Sequence, residues 1–370
     1  MNTLLPDKRP VRIASAFIFA YMNVRSLKYA SPLVIYAFSF NAFLSRGWMI
    51  FLPLLIVWVF IPLIELLVRP DVRNLDNAEE ELSKDDRIYD FWLYMIVPLQ
   101  YSALFVFLGS VLEPGLHMWE LTGRIFVMGL LCGSFGINVG HELGHRPLKY
   151  EQLLAKMLLL SSLYMHFFIE HNKGHHKRVS TPEDPSSARY GEMIYTFYFR
   201  TVIFSWLSAW KIAARDLHRK GLPALHWRNE MLVYQFIQLA FLLAIILVFG
   251  WVPAACFLAA ATIGFLLLET VNYIEHYGLQ RRKTASGQYE RPLPIHSWNS
   301  DHVIGRIVLF ELSRHSDHHY LASRKYQVLR HHEQAPQMPT GYPGMMILSL
   351  VPPFWFKVMN PRIEKIRATV

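Results

Sequence analysis

Long runs of apolar residues are the feature that most restricts how this chain of 370 residues can fold. A helix needs about 20 apolar residues to cross the hydrocarbon core of a bilayer. Six stretches are interpreted as spans, in three pairs joined by short turns: 29–44 with 48–68, 91–112 with 120–140, and 231–250 with 253–270. We therefore predict an all-α integral membrane protein with six transmembrane helices in three hairpins and with both termini on one side.

Composition agrees with a chain that lies in a membrane. Hydrophobic residues make up 53% of the sequence and charged residues 18%, whereas a soluble domain has about a quarter of charged residues. An aromatic content of 14% is too high for a disordered chain. The two cysteines, Cys132 and Cys256, are too few for a disulfide framework, a thiolate zinc site or an iron–sulfur cluster.

The basic residues predict the orientation. Of the 37 Lys and Arg residues, only Arg46 and Arg124 lie at the turn ends of the three hairpins. Basic residues are retained on the cytoplasmic side, so the termini and the long connections are expected there. This bias also accounts for the net charge of +9 without a nucleic-acid partner. Because the first apolar stretch is short and contains Arg25 and Lys28, we expect no cleavable signal peptide.

The remaining segments are expected to form a cytoplasmic cap on a single membrane-embedded catalytic domain, 1–370. The cap comprises 141–230 and 271–370. Within it, the apolar stretches 153–168 and 193–210 carry charged or imidazole side chains and are interpreted as interfacial or re-entrant helices. The loop 69–90, which is rich in acidic residues, is expected to be a solvated connector.

Histidines occur in three clusters near the cytoplasmic ends of the spans, within the motifs HELGH, HNKGHH and HSDHH. His141 and His145 are four residues apart, so one helical face carries both imidazoles. His276 ends the sixth span, and the hairpin geometry brings it beside HELGH. Nine of the 17 histidines are thus candidate metal ligands: His141, His145, His171, His175, His176, His276, His315, His318 and His319. The others are interpreted as surface or structural residues: His117, His166, His218, His226, His296, His302, His331 and His332.

Nine imidazoles are more than one ion can use, and they suit two ions that share a pocket. Imidazole binds zinc, iron, copper and nickel, so the ligand type alone does not identify the metal. Zinc is redox-inert and cannot activate oxygen. Two histidine-rich centres at a membrane face favour iron and O2 chemistry on a lipid-soluble substrate.

The motifs resemble those of the integral-membrane di-iron oxygenases and desaturases and, within that superfamily, of the alkane 1-monooxygenases. The resemblance covers essentially the whole chain, through HELGH, EHNKGHH followed by VSTPEDPSSAR, NYIEHYGLQR, and RHSDHH followed by RKYQVLR. NYIEHYGL and PEDPSSAR are the parts most specific to alkane hydroxylases. One departure is Ser313 before Arg314, where the family pattern has Gln, and it affects no ligand.

The resemblance implies terminal hydroxylation of a medium-chain alkane taken from the bilayer, with O2 and two electrons. It implies that the nine histidines bind two iron ions, without flavin or haem. The electrons would come from rubredoxin, a separate protein that an NAD(P)H-dependent rubredoxin reductase reduces. The expected location is the bacterial inner membrane, with the active site on the cytoplasmic side and no nucleic acid bound.

Three further sets of residues receive expected roles. Carboxylates beside the histidines are expected either to orient imidazole N–H groups or to form surface salt bridges: Glu142, Glu170, Asp184, Glu275 and Asp317. Trp58 lies near the middle of the second span, although tryptophan prefers the membrane interfaces, and the resemblance implies that a bulky residue there limits alkane length. Because rubredoxins are acidic, docking is expected near basic residues: Lys177, Arg178, Arg281, Arg282, Lys283, Arg324 and Lys325.

Three alternatives remain open from the sequence. The nearest is a fatty-acid desaturase or a ring-methyl monooxygenase with the same metal chemistry. A membrane zinc metalloprotease would use HELGH with Glu142 as the base, but it would leave the HNKGHH and HSDHH histidines without a role. A metal transporter would carry its site near the bilayer midplane, whereas these clusters lie at the span ends.

Overall fold

The computed structural model describes residues 24–369, which are predominantly helical. Within this range there is no β-strand, and only two isolated bridges occur, Lys283–Tyr289 and Asn299–Gln337. The expectation about a signal peptide and the position of the N-terminus concern residues 1–23, which lie outside the described part of the chain. The helices in chain order are α1 (Ser31–Leu44), α2 (Gly47–Leu67), α3 (Asn77–Lys84), α4 (Arg87–Ser110), α5 (Met118–Gly144), α6 (Lys149–Leu160), α7 (167–178), α8 (Ile194–His218), α9 (Glu230–Phe249), α10 (Trp251–His276), α11 (Val303–Val308), α12 (His315–Tyr320), α13 (Tyr342–Ser349) and α14 (Pro352–Thr369).

Among the described helices, five are long and apolar enough to cross a membrane: α2, α4, α5, α9 and α10. They coincide with five of the six predicted spans. The predicted first span, 29–44, corresponds to α1, which has 14 residues and follows a 3₁₀ turn at Leu27–Ala30. Because α1 is shorter than the ~20 residues that a span requires, the six-span topology stays a prediction.

Two arginines tie the turns of the first two hairpins together. The guanidinium of Arg124 is completely buried and donates to the carbonyls of Ser45 and Ser110 and to the carboxylate of Glu113. Arg46 donates to the same carboxylate at 2.8 Å. These bonds satisfy the last carbonyls of α1 and α4, which the helices themselves leave unpaired. The two basic residues at the turn ends therefore have a structural role.

The segment after α5 enters the helix bundle and returns. α6 leads to a non-helical apex at 161–166, and α7 runs back towards the histidines. At the apex, the hydroxyl of Ser161 accepts a hydrogen bond from Gln100, which lies near the middle of α4, about 20 Å of helix rise from Arg87. Non-helical backbone at membrane depth is tolerated where protein buries it. These contacts favour the re-entrant interpretation of 153–168.

The connector 69–90 is more ordered than predicted. It contains α3, whose N-terminus is capped by the side chain of Asp76. Glu80 on this helix forms an ion pair with Arg330, and the carbonyl of Ser83 accepts from Gln327. Most of the connector is exposed, as expected, but these contacts hold it against the C-terminal part of the chain.

Three of the described helices contain a π-turn, at Ile56–Phe60 in α2, Cys132–Ile137 in α5 and His171–His175 in α7. A π-turn adds a residue to one turn of a helix, and such turns are frequent at functional sites. The first contains Trp58, the second precedes HELGH, and the third contains two of the predicted ligands. The irregular turns thus lie at the segments that carry the predicted chemistry.

Candidate metal centre

All nine predicted histidines come together, although they are distributed over 179 positions of the sequence from His141 to His319. α5 and α10 extend past the predicted ends of their spans and carry HELGH and His276. α7 and α12 supply the other two clusters. The nine form two groups, in each of which one ligand atom of every residue lies within 4.8 Å of the others. The five-histidine group is His141, His145, His171, His176 and His318, and the four-histidine group is His175, His276, His315 and His319.

Within the groups, the Nε2 atoms point at one another. Nε2 of His318 lies 2.9 Å from that of His141 and 3.1 Å from that of His176. In the four-histidine group, the Nε2 atoms of His276 and His315 are 3.2 Å apart. A neutral imidazole can present the lone pair of Nε2 to a cation. Several Nε2 atoms that converge on one point therefore match a shell of ligands around a metal ion. The residues therefore fit two metal ions.

Burial favours the neutral, metal-binding form of these rings. Desolvation, followed by the neighbouring imidazoles, lowers the pKa of His145, His171 and His319 well below the usual range of histidine. Burial lowers the pKa of His318 to about 3, even though Asp317 acts in the opposite direction. Neutral imidazole is the form that coordinates a metal, so the centre is prepared for metal at neutral pH.

Asp184 contacts the ring of one of the nine histidines. Its carboxylate lies 2.9 Å from Nδ1 of His175, which leaves Nε2 free to face the other histidines. Ser187 and the backbone N–H of Ser186 also donate to this carboxylate. Burial alone would raise the pKa of Asp184, but the His175 ring and these donors lower it to about 2. The PEDPSSAR segment thus holds an ionised carboxylate against the ring of His175.

Glu275 makes a contact that differs from the prediction. One of its carboxylate oxygens lies 3.2 Å from Nε2 of His315, the atom that also faces His276. The other oxygen accepts a hydrogen bond from the hydroxyl of Tyr342 at 2.7 Å. Glu275 therefore lies at the same ring nitrogen of His315 as His276 does, instead of at Nδ1 behind the ring.

The other three predicted carboxylates bind arginines. Glu142 accepts from Arg146 at 2.8 Å, Glu170 from Arg178 at 2.6 Å, and Asp317 from Arg324 at 2.6 Å. In the described structure, none of the three hydrogen-bonds a ring nitrogen of the nine histidines. These three carboxylates therefore follow the alternative expectation, the salt bridge, and do not orient the rings directly.

An apolar cavity adjoins the histidines. It is lined by His141, His171 and His315 together with apolar side chains such as Phe167, Leu267 and Met346. A second cavity contains Trp58 in its wall and shares Ser134, Leu309 and Met346 with the first. The two measure about 50 and 30 Å³, whereas a cavity of about 150 Å³ holds benzene. A longer molecule would enter only if the lining side chains move.

Several basic residues predicted to face a partner are already engaged. Arg281 is buried and donates to the carbonyls of Lys177, Val179 and Glu290, so its predicted docking role is wrong. Arg178, Arg324 and Lys325 pair with Glu170, Asp317 and Asp90. Lys177, Arg282 and Lys283 are exposed. Arg291, which the prediction did not include, is also exposed and follows the Lys283–Tyr289 bridge in the chain.

The sequence analysis also missed Glu269 and Tyr342. Glu269 lies inside α10 and accepts hydrogen bonds from Tyr164, Thr201 and Asn272 at 2.7–3.0 Å. A carboxylate within an apolar span is rare enough to indicate function, so this residue had a detectable signal. Tyr342 had none, because its partner Glu275 lies 67 residues away.

Comparisons with known proteins agree with this centre. The sequence model of the fatty acid desaturase family matches residues 116–348. Alkane 1-monooxygenase 2 of Pseudomonas aeruginosa is 44% identical over 84% of this chain and 82% of that protein. Alkane 1-monooxygenase of Pseudomonas putida is 37% identical over 86% and 80%. The xylene/toluene monooxygenase hydroxylase component of Pseudomonas putida is 29% identical over 66% and 65%.

These matches confirm the family resemblance that the motifs indicate. The matched residues include all nine histidines and both cavities apart from the part formed by α1 and α2. The chain therefore belongs to the fatty acid desaturase family and, within it, to the alkane 1-monooxygenases.

Proposed function

We propose that the protein hydroxylates the terminal methyl group of an n-alkane: R–CH3 + O2 + 2 e⁻ + 2 H⁺ gives R–CH2OH + H2O. The observation that carries this proposal is an apolar cavity whose wall contains His141, His171 and His315. An alkane offers no polar group for recognition, so an apolar cavity that ends at the metal ligands is the form of site that it requires.

We propose iron as the metal, bound by the five-histidine and the four-histidine groups. Iron supplies the one-electron and O2 chemistry that hydroxylation of an unactivated C–H bond needs. The described residues have complementary tasks: Asp184 fixes the ring of His175, while Phe167, Leu267 and Met346 exclude water from the cavity and position the methyl group. The relatives named alkane 1-monooxygenase support this assignment.

We propose that the electrons come from reduced rubredoxin. Cys132 and Cys256 are both buried and unpaired, so they do not form a thiolate-bound electron carrier. The described residues therefore hold no such carrier, and rubredoxin is the proposed source of the electrons. Lys177, Arg282, Lys283 and Arg291 are exposed and provide a basic surface for an acidic carrier. In this proposal the surface faces the cytoplasm of a bacterium, at the ends of α5 and α10 that are opposite to the hairpin turns near Arg46 and Arg124.

Oxidation of a ring methyl is a second candidate, because the xylene/toluene relative covers two thirds of the chain. Desaturation of a fatty acid would use the same metal chemistry. A zinc protease is disfavoured, because Glu142 is held by Arg146 and by the backbone N–H of Tyr326, which leaves it poorly placed as a base.

Product analysis tests the proposal. Iron-loaded protein is supplied with O2, rubredoxin, its reductase and n-octane, and the products are separated by gas chromatography. We expect one molecule of 1-octanol for every two electrons consumed. Zinc-loaded protein should form no 1-octanol. An alkene from a fatty acyl chain, or a benzylic alcohol from toluene with no octanol from octane, would contradict the proposal.

A further inference from the structure

A third cavity lies outside the histidine centre, between α14 and the hairpin that follows α10 at residues 282–290. Residues from three segments line it, 278–282, 290–296 and 363–367. It measures about 290 Å³, almost twice the volume of a cavity that holds benzene. The lining residues all lie outside the five helices that are long and apolar enough to cross a membrane. A ligand of this cavity is therefore expected to come from the aqueous side.

Contacts between the segments hold the walls of this cavity in place. The carbonyl of Gly278 accepts a hydrogen bond from Arg367, and the hydroxyl of Tyr277 donates to Asn360 on α14. Gly278 has a φ of +72°, and a Cβ atom there would lie 3.0 Å from the side chain of Ile363. The close approach of this turn to α14 therefore favours glycine, and the cavity is formed without a ligand.

Four of the lining side chains are aliphatic. Leu279 and Ile363 are buried, and Ile295 and Ile366 are half-buried. An aliphatic wall binds an alkyl chain, because each CH2 group that leaves water stabilises the complex. This wall therefore suits a ligand with an apolar chain.

Two arginines of the lining have no acidic partner. Arg282 and Arg367 are exposed. In the described part of the chain, Arg367 stacks on the ring of Tyr190, and neither guanidinium forms an ion pair with a carboxylate. The acidic residue of the described lining is Glu290, which already contacts Nε2 of His296 at 3.1 Å and the backbone N–H of Arg282 at 2.9 Å. It is therefore occupied.

Arg281, the remaining arginine of the wall, is already engaged. Its guanidinium donates to three carbonyls, and the carboxylates of Asp184, Glu290 and Glu183 act on its charge. Arg282 and Arg367 are therefore the positive charges that a ligand can reach. They make one part of the cavity cationic beside the aliphatic wall.

We infer that this cavity binds a medium-chain alkanoate, with its carboxylate at Arg282 and Arg367 and its alkyl chain on the aliphatic wall. A guanidinium binds a carboxylate through charge-assisted hydrogen bonds. An ammonium group would be repelled by both arginines, and a neutral alcohol would leave their charge uncompensated. The inference rests on the proposed function only for the chain length, since such an alkanoate carries the same alkyl chain as the proposed alcohol product.

Binding of radiolabelled octanoate to the purified full chain in phosphatidylcholine nanodiscs tests this inference without measuring hydroxylation. Empty nanodiscs measure the octanoate that dissolves in lipid, and this amount is subtracted. We expect saturable binding of one octanoate per chain at this cavity. Acetate lacks the alkyl chain and 1-octanol lacks the charge, so each should compete with octanoate at least tenfold less well.

Two variants assign the binding to this cavity. Arg282→Gln should weaken octanoate binding at least tenfold and leave the unfolding temperature unchanged, because the Arg282 guanidinium bonds to no other described residue. Arg367→Gln should weaken octanoate binding as much, although it also removes the hydrogen bond to Gly278. Lys220→Gln is the matched control, because Lys220 is exposed just after α8 and does not line the cavity. This control should bind octanoate as the parent does.

Two results would overturn the inference. The first is octanoate that binds no more tightly than acetate, or equally well to Arg282→Gln and to Lys220→Gln. The second is a phosphatidylglycerol molecule, from nanodiscs that contain this lipid, that stays bound in native mass spectrometry and excludes octanoate, because the cavity then holds a membrane phospholipid. Neither result bears on the proposed function, which fails instead if the protein binds no iron or forms no 1-octanol.

Discussion

The side chain of Gln100 donates a hydrogen bond of 3.2 Å to the hydroxyl of Ser161. This bond joins the middle of α4 to the apex of the re-entrant segment. Gln100 also accepts from the hydroxyl of Tyr36, and the thiol of Cys132 donates to the carbonyl of Ser161. All four residues are buried. The cluster fixes the apex, and the helical run from the apex carries His171, His175 and His176.

Gln100→Leu should loosen the re-entrant segment. The change leaves the hydroxyl of Tyr36 buried without its partner, at a cost of about 1–3 kcal/mol, whereas the hydroxyl of Ser161 keeps its hydrogen bond to the Leu158 carbonyl. We expect a lower unfolding temperature, weaker iron retention and faster alkylation of Cys132 by a membrane-permeant thiol reagent in a Cys256→Ser background. Ser39→Ala is the matched control, because that hydroxyl bonds only to the Ile35 carbonyl of its own helix. Equal alkylation rates for Gln100→Leu and the control would rule out this role for Gln100.

Sequence reasoning found the parts of the site that follow a local pattern. The apolar runs predicted five helices that are observed at span length, and the His-x-x-x-His spacing placed two rings on one face of α5. The nine histidines stand out because imidazole clusters are rare at the ends of apolar helices. These signals require only the residue types within a few turns.

Pairings between distant segments could not be predicted. The sequence around Arg281 suggests an exposed basic residue. In the structure Arg281 is buried and donates to carbonyls of residues up to 104 positions away. The carboxylates beside the histidines looked equivalent, but whether each one meets an arginine or a ring nitrogen depends on the tertiary fold. The first predicted span is observed as a 3₁₀ turn followed by α1, which has only 14 residues, and the apolar run alone did not show this break.

His276→Ala should remove metal from one site only. His276 belongs to the four-histidine group, whose Nε2 atoms would fall to three. We expect the iron content to fall from about two ions to about one per chain, because loss of one imidazole weakens metal binding at the four-histidine group. Hydroxylation should be lost with it. Elemental analysis of purified protein measures this. His218→Ala, at an exposed position at the end of α8, should keep both ions. One tightly held zinc ion per chain, with His276→Ala fully active, would contradict the di-iron proposal.

Charge reversal on the hairpin after α10 should weaken electron delivery. The double variant Arg282→Glu with Lys283→Glu reverses the charge of two exposed residues. The rate of rubredoxin-dependent turnover should therefore fall several-fold at low salt. The difference from the parent should shrink as salt rises, because exposed charges are screened over about 8–10 Å. Lys220→Glu, exposed at the end of α8, is the control for charge reversal elsewhere. Arg281→Gln should instead destabilise the hairpin, since it removes bonds to three carbonyls. Turnover that is independent of ionic strength in all variants would contradict a docking role. These basic residues would then only orient the chain during membrane insertion.

Trp58→Ser should extend the range of alkanes that the protein accepts. Trp58 is partly buried within a π-turn of α2, and its cavity meets the cavity at the histidines through Ser134, Leu309 and Met346. An alkane whose methyl group lies at the metal would extend along these cavities until the indole stops it.

Replacing the indole with a hydroxymethyl group removes that stop, so alkanes longer by several carbons should be oxidised while shorter ones are retained. Gas chromatography of the alcohols from an alkane series measures the change. Phe60→Ser is the matched control, because Phe60 is an aromatic residue of the same turn but is exposed on the outside of the helix and borders neither cavity. The contrary outcome is an iron-loaded Trp58→Ser protein that oxidises alkanes of the same lengths as the parent and the Phe60→Ser control do. The alkane would then not reach Trp58. The limit on its length would lie closer to the metal, at Leu309 or Met346.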